Sequence, residues 1–502
     1  MMGTSRRSFR ISKTNSEHGK AIMKIRTSPG GCASVAVALL ALFSSGHAAR
    51  GQQMVTTPSP PPGAAESSTE QGHTQLDESF REFRLEKRRK AFEDTTFEIN
   101  FRTFFMDRNK FDGLESEAWA IGGWAGLKTG YFLDHIAFGL TGYTSQPVYA
   151  PESRDGTTLL APGQNGYTVL GEAYADIRIA DGYNIYVGRK GFDTPFINRN
   201  DSRMTPNTFE AIVFQGKTEL GPSTPATTDP GVNKDGMALA SDGKDSKAIV
   251  APAPTPIPAF LRYGIGYFDQ IKERNSDEFI SMSRDAGADV ERGVYVAGLL
   301  YEKGKFSIGA IDYYSDDIIN IAYGEMKMEL PFSDDFRPKL AVQLIDQRST
   351  GSDLLQGQSF SGQQAGLKLD VPVSKVLFTA AYTCAFGDAN MQNPWSGYPG
   401  YTSVQVQDFN RGGESAFMLR VGYDFPWAEG LSAYALAVFG TDPDAAGQYR
   451  QDEYDVNLQY APTKNVLKGL SVRLRYGAVD QHGGDVVTLT DFRVICNYVI
   501  KF

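Results

Sequence analysis

The chain has 502 residues, 41% of them apolar and 22% charged, and a formal net charge of −9. The acid excess excludes a nucleic-acid binder, which needs a basic face, and the apolar residues spread throughout exclude a wholly disordered chain. Its one long apolar run, about a dozen residues, falls short of the roughly 20 that a spanning helix needs, which excludes a helical membrane protein.

That run, Cys32 to Phe43, follows Lys24 and Arg26 and precedes the small-residue site Gly46-His47-Ala48. A basic segment, a short apolar core and small residues at a cleavage point make residues 1–48 a secretory signal peptide, with Met23 the more natural start. Arg6-Arg7 resembles a twin-arginine export signal, but a polar stretch follows it. Removing 1–48 takes away seven Lys/Arg and one Glu, leaving 43 basic and 58 acidic residues and a net charge of −15. Of the cysteines, Cys384 and Cys496 remain, too few for a disulfide scaffold or a zinc-type pair. Residues 49–94 divide into a Pro/Ser/Thr-rich stretch, Gln52 to Gln75, expected to be an extended linker, and a charged lead-in, Asp77 to Asp94. The lead-in carries Phe80, Phe83, Leu85 and Phe92 and reads as a short amphipathic helix or a solvated approach.

From Thr95 onward the period is two. In the last segment Phe492, Val494, Cys496, Tyr498, Ile500 and Phe502 share one face, and Arg493, Ile495, Asn497, Val499 and Lys501 share the other. Val456, Leu458 and Tyr460 oppose Asp455, Asn457 and Gln459; near the start, Phe97, Ile99, Phe101 and Phe105 oppose Glu98, Asn100 and Arg102. Each is a strand with one apolar and one polar or small face. A soluble sandwich would bury the apolar faces, whereas a membrane barrel turns them to lipid and lines its lumen with the polar ones. Three features favour the barrel: aromatic residues at segment ends, a chain that stops on Phe502, and a polar face too charged for a packed interior. The expected fold is therefore all-β, a transmembrane antiparallel barrel over 95–502. Eighteen candidate strands run from 95–105 to 489–502, an even number that leaves an aqueous channel. With the N-terminus in the periplasm, the short connections fall on that side and the longer ones, such as 191–207 and 386–412, outside. One connection, 221–259, breaks the rule and is expected to be a disordered insertion.

Several stretches then resemble one family. NDSRMTPNTF (200–209) resembles the third-loop signature of the OprD-type outer-membrane porins. EAWAIGGWAGLKTGYF (117–132), PWSGYPGYTS (394–403), GGESAFMLRVGYDFPWAEGL (412–431) and the closing stretches 453–477 and 491–502 fit the same pattern in order. The resemblance implies an 18-stranded monomeric barrel in the bacterial outer membrane, with extracellular loops folded inward to narrow the pore. It also implies passive diffusion of small polar solutes, often bearing a carboxylate, along a row of lumenal Arg and Lys. Alternation independently puts Arg102, Arg178, Arg262, Lys368, Arg420, Arg473, Arg475 and Arg493 on the lumen face, where guanidinium groups bind carboxylates bidentately and can hand an anion between weak sites. The competing role for each is an ion pair with an acid of the same wall, such as Glu98, Glu172, Asp176, Asp370, Asp424 or Asp455. Asp201, Ser202 and Arg203 are expected near the constriction, or holding the third loop against the wall.

Expected partners are the solutes, outer-membrane lipid and, through Phe502, the barrel-assembly machinery. The alternatives are a non-selective diffusion porin and a structural or enzymatic barrel. The mature chain's histidines, His73, His135 and His482, stand beside no serine in a catalytic pattern. With no phosphate loop, metal cluster or dinucleotide fingerprint, no cofactor is expected.

Overall fold

The structure, a computed structural model, describes residues 69–221, 257–333, 336–387 and 389–502. The signal peptide, most of the linker and the core of the 221–259 insertion lie outside the described residues.

Eighteen long strands form one antiparallel sheet among the described residues, joined by a two-residue strand at Ile280–Ser281. In order they are Thr96–Asn109, Glu115–Lys128, Ile136–Tyr149, Tyr167–Ala180, Tyr183–Lys190, Thr208–Leu220, Ala259–Lys272, Val294–Lys303 and Phe306–Ser315. Then follow Ile319–Glu329, Lys339–Arg348, Ser361–Val373, Val376–Gly387, Ser415–Asp424, Leu431–Gly440, Gln451–Tyr460, Leu470–Gly483 and Asp485–Lys501. The first strand pairs with the last, Ile99 opposite Ile500 and Arg102 opposite Asn497, so the sheet closes on itself. Closure leaves no edge carrying unpaired N–H and C=O groups, the condition for crossing hydrocarbon with strands.

The alternation works inside out. Phe101 is 58% exposed while its neighbour Arg102 is 7% exposed, and Val456 is 55% exposed beside Asp455 at 1%. The outward face is an apolar band for lipid; the inward face carries the charge. Tight turns at one end suit their residues: at Asp181-Gly182 the glycine has φ +84, and a Cβ there would lie 2.9 Å from the Lys217 carbonyl oxygen.

Two expectations need correcting. A helix of 25 residues, Thr69–Glu93, takes the place of the last part of the extended linker and continues through the charged lead-in, longer than the short helix that is one reading of it. The prolines stop at Pro62, and the Glu-, Gln- and Lys-rich sequence after them favours helix. Its C-terminal end meets the turn 129–135, where Ala91 C=O accepts from Gly130 N–H at 2.8 Å and Phe92 meets Phe132 edge to face at 5.3 Å. Lys87 there lies 2.5 Å from Asp134, and that hydrogen bond holds the Asp134 carboxyl below the usual carboxylate range.

The second correction concerns the lumen, expected to be walled by polar side chains alone. On the strands from Val294–Lys303 to Lys339–Arg348 many inward residues are apolar: Val296, Tyr313, Ile321, Tyr323 and Ile345 are all buried, beside the polar Gln343 and Gln347. Phe196 and Ile197 of the connection 191–207 and Trp395 and Tyr398 of the connection 388–414 pack against them in one cluster. Part of the barrel is thus a filled core, because two long connections turn inward and bury their aromatic residues there.

Candidate functional site: the lumen and its two inward loops

The loop 191–207 crosses the lumen. At one end, Asp201 receives a two-pronged hydrogen bond from Arg102 of the first strand, at 2.6 and 3.0 Å. At the other end, Phe196 N–H donates to the Tyr313 hydroxyl of the ninth strand at 3.2 Å. In a ring of eighteen strands the first and ninth lie nearly opposite, so one loop bridging them spans the pore. Arg203 holds the loop to the connection 150–166, donating to the Thr157 carbonyl and the Thr158 hydroxyl, both at 2.8 Å. Burial, then the neighbouring Arg274, pulls this guanidinium well below the usual arginine range. Ser202 accepts from Arg274 at 2.6 Å, tying in the connection 273–293. The sequence-predicted trio 201–203 is therefore together, and its visible contacts anchor the loop.

The loop 388–414 completes the partition. Asn198 donates to the Gly397 carbonyl at 3.2 Å and Ser396 to the Phe196 carbonyl at 2.8 Å, so the two loops meet. Tyr401 reaches Glu325 at 2.9 Å. On the far wall Glu453 accepts from the N–H groups of Val406 and Gln407 at 2.7 and 2.8 Å, and Asp455 accepts from Gln405 N–H at 3.1 Å. Carboxylates capping loop N–H groups are strong charge-assisted bonds, and they fasten an otherwise irregular segment to the barrel. Beneath loop 191–207, its residues Phe192 to Pro195, with Lys217, Arg262, Glu302 and Lys327 of the wall, line a cavity of about 710 Å³.

Loop 273–293 carries a pH-sensitive group. Burial, then Glu273, pushes the Asp285 carboxyl up to about 8. An acid whose folded pKa is raised stabilises the fold in its neutral form, and that contribution is lost as pH climbs through the folded value. Limited proteolysis of this loop is expected to accelerate as pH rises from about 4, the unfolded carboxylate range, to about 8 and to level off above it, and Asp285→Asn to flatten the dependence; an unchanged profile in the variant would refute this origin.

The eight expected basic residues fall into two groups. Arg102, Arg262 and Arg493 are engaged by carboxylates: Arg102 by Asp201, Arg262 by Glu302 at 2.5 Å, and Arg493 by Asp491 at 2.6 and 3.1 Å. Arg102 and Arg493 also lie beneath the inward loops, Arg493 donating to the Gln405 carbonyl at 3.0 Å. The other five, Arg178, Lys368, Arg420, Arg473 and Arg475, make no ion pair among the described residues. Aromatic rings hold several of them: Arg178 over Tyr131 at 3.7 Å, Lys368 over Tyr401 at 4.9 Å, and Arg420 over Tyr434 at 4.0 Å. Arg473 donates to Asn457 at 2.7 Å and Arg475 to the Tyr434 hydroxyl at 3.3 Å. The buried Nε of Arg475 has no partner.

Residues that the sequence reading missed are Tyr401 and Tyr434, which sit under the unpaired cations, and Gln405 and Arg274, which tie the loops down. An aromatic one or two positions along a neighbouring lumen face was the available signal for Tyr434. Nothing in the pattern pointed to Arg274.

Residues 260–502 match the model of a family described as outer membrane porin, OprD family. The fold is similar to Pseudomonas aeruginosa OccK9 (OpdG), with a TM-score of 0.67 and 20% identity over 82% of this chain and 100% of that one. It is similar to P. aeruginosa OpdK, solved with vanillate, at 0.65 and 17%, and to a BenF-like porin from Pseudomonas fluorescens at 0.65 and 15%, each over 82% of this chain and 100% of theirs. At these identities the likeness is one of fold. No curated protein matches the sequence.

Proposed function

We propose that this chain is an OprD-type outer-membrane porin, a channel for small solutes, and that it favours carboxylate-bearing ones; the family match over residues 260–502 and the closed barrel support the reading. The observation that carries the reading is the set Lys368, Arg420, Arg473 and Arg475. These four cations, on the lumen faces of the twelfth, fourteenth and seventeenth strands, make no ion pair among the described residues. Tyr434 and Asn457 fix two of the guanidinium groups while leaving donors open, and a buried donor such as Arg475 Nε is costly until something accepts from it. Arg178, stacked near the periplasmic end, extends the path. Arg102, Arg262 and Arg493 stand outside it, since their charge is already neutralised. OpdK was solved with vanillate, itself a carboxylate, which is consistent with this reading of a similar barrel. Passage is by diffusion, and weak sites in series allow both entry and exit. The exposed terminal Phe502 we assign to recognition by the barrel-assembly machinery.

Single-channel recording of the refolded mature protein in a planar bilayer tests this. Small carboxylates are expected to block the current, and changing Arg473 and Arg475 together to alanine should weaken the block about tenfold or more, as loss of charge-assisted hydrogen bonds implies. The reversal potential in a salt gradient should move towards cation preference. A large current that carboxylates never block would make the protein a non-selective diffusion porin.

A further inference from the structure

The later part of the helix Thr69–Glu93 carries charge opposite to that of the rest of the chain. Six of the ten residues 81–90 are Arg or Lys and two are Glu, in a mature chain whose net charge is −15. The charge is also sorted around the helix axis. Arg81, Leu85, Arg88 and Phe92 follow at spacings of four, three and four and form one stripe, with Arg84 and Arg89 at its flanks, Arg89 in an exposed ion pair with Glu93 at 3.2 Å. Glu82, Glu86 and Glu93 gather on another side, and Lys87 and Ala91 face the barrel's turn 129–135. Apart from the edge of Phe92 that meets Phe132, the stripe is open: Leu85 is 53% and Phe92 66% exposed.

Its position says what lies beside it. The helix runs into the first strand at the periplasmic end of the barrel. Phe92 meets Phe132, which in turn lies 6.1 Å from Phe138, and Phe138 is 47% exposed on the lipid side of the third strand. Leu133, Ile136 and Leu140 are exposed beside it. The apolar end of the stripe is thus continuous with the lipid-facing band, at headgroup depth, where interfacial aromatic residues sit.

We propose that this helix docks on the periplasmic leaflet of the outer membrane, with Leu85 and Phe92 at the acyl boundary and Arg81, Arg84, Arg88 and Arg89 on anionic phospholipid headgroups. Basic side chains near an anionic leaflet each add to the attraction, and a short apolar stripe supplies the remainder. A surface held mainly by charge is reversed by salt. The reading depends on the barrel spanning an outer membrane.

The experiment uses the full mature chain with Cys384→Ser, Cys496→Ser and Leu85→Cys, labelled at residue 85 with an environment-sensitive fluorophore. It is reconstituted in phosphatidylcholine vesicles with or without about a third phosphatidylglycerol, the anionic lipid that a charge-driven contact requires. Conductance of the same preparation reports separately that the barrel is inserted. The expected result is a blue shift and a severalfold rise in emission in the anionic vesicles. Salt at about 0.5 M should reverse it, and so should changing the four arginines to glutamine. A label equally wet in both vesicles while the channel conducts would overturn the proposal. So would protection that depends on protein concentration, which would mean a second copy covers the stripe. Protection only upon adding peptidoglycan fragments would assign the helix to the cell wall instead.

Discussion

Changing Arg102 to alanine should raise the single-channel conductance severalfold and make the open current noisy. Arg102 is the wall-side anchor of loop 191–207: it binds both Asp201 oxygens, the Arg203 carbonyl at 2.6 Å and Asn497 at 2.6 Å, and its guanidinium lies 4.9 Å from the Trp124 ring. Breaking a buried pair by removing one partner costs about 3–5 kcal/mol. Asp201 keeps 39% of its side chain exposed and can rehydrate, so the lower end applies. That is enough to move a docked loop from almost always closed to often open. Arg102→Lys should restore little, since an ammonium cannot reproduce the planar fork. The barrel, held by its closed ladder, should keep its resistance to heat. An unaltered conductance would mean that the constriction lies elsewhere.

Trp395→Ala should free loop 388–414 with a comparable effect. The indole is the largest fully buried side chain, its Nε1–H donates to the Met282 carbonyl at 2.8 Å, and it joins the cluster that contains Phe196 and Tyr398. Emptying such a site costs about 3–5 kcal/mol, which corresponds to a hundredfold or greater rise in the open population of the loop. Protease cleavage within 388–414 should accelerate accordingly, while thermal melting of the barrel stays put. Trp395→Phe should lose only about 1 kcal/mol, the net value of the hydrogen bond. Equal cleavage rates for wild type and the alanine variant would refute the anchoring role.

Much of the barrel was readable because most of its strands obey one rule, apolar outside and polar inside. Tyr183–Lys190 and Thr208–Leu220 fall where the alternation placed them, to the residue. What periodicity cannot convey is what covers an inward face. Arg102, Arg473 and Arg493 look alike in the pattern, yet two lie under loops against carboxylates and the third does not. For Arg493 a signal existed: Asp491, two residues along the same strand, shares its face at roughly 7 Å. For Arg102 none existed, since Asp201 is distant in sequence and reaches it only through an inward turn. The filled part of the lumen had a compositional trace. Trp395, Tyr398, Tyr401 and Phe409 are heavy aromatic cargo for a solvated connection, and aromatic residues there imply burial. The long helix was hidden by the proline-rich stretch preceding it.

The seam between the first and last strands sets the order of assembly. Arg102 and Asn497, bonded across it, stand 395 positions apart in the chain. Contacts of such separation are the slowest to be made, and an open sheet edge is not tolerated in hydrocarbon. Arg102 belongs both to the seam and to the loop it grips: the same guanidinium bonds Asn497 across the closure and Asp201 of loop 191–207. Pairing of the first and last strands thus also sets in place the donor that docks the loop, and a seam left open would leave that end of the loop without its anchor.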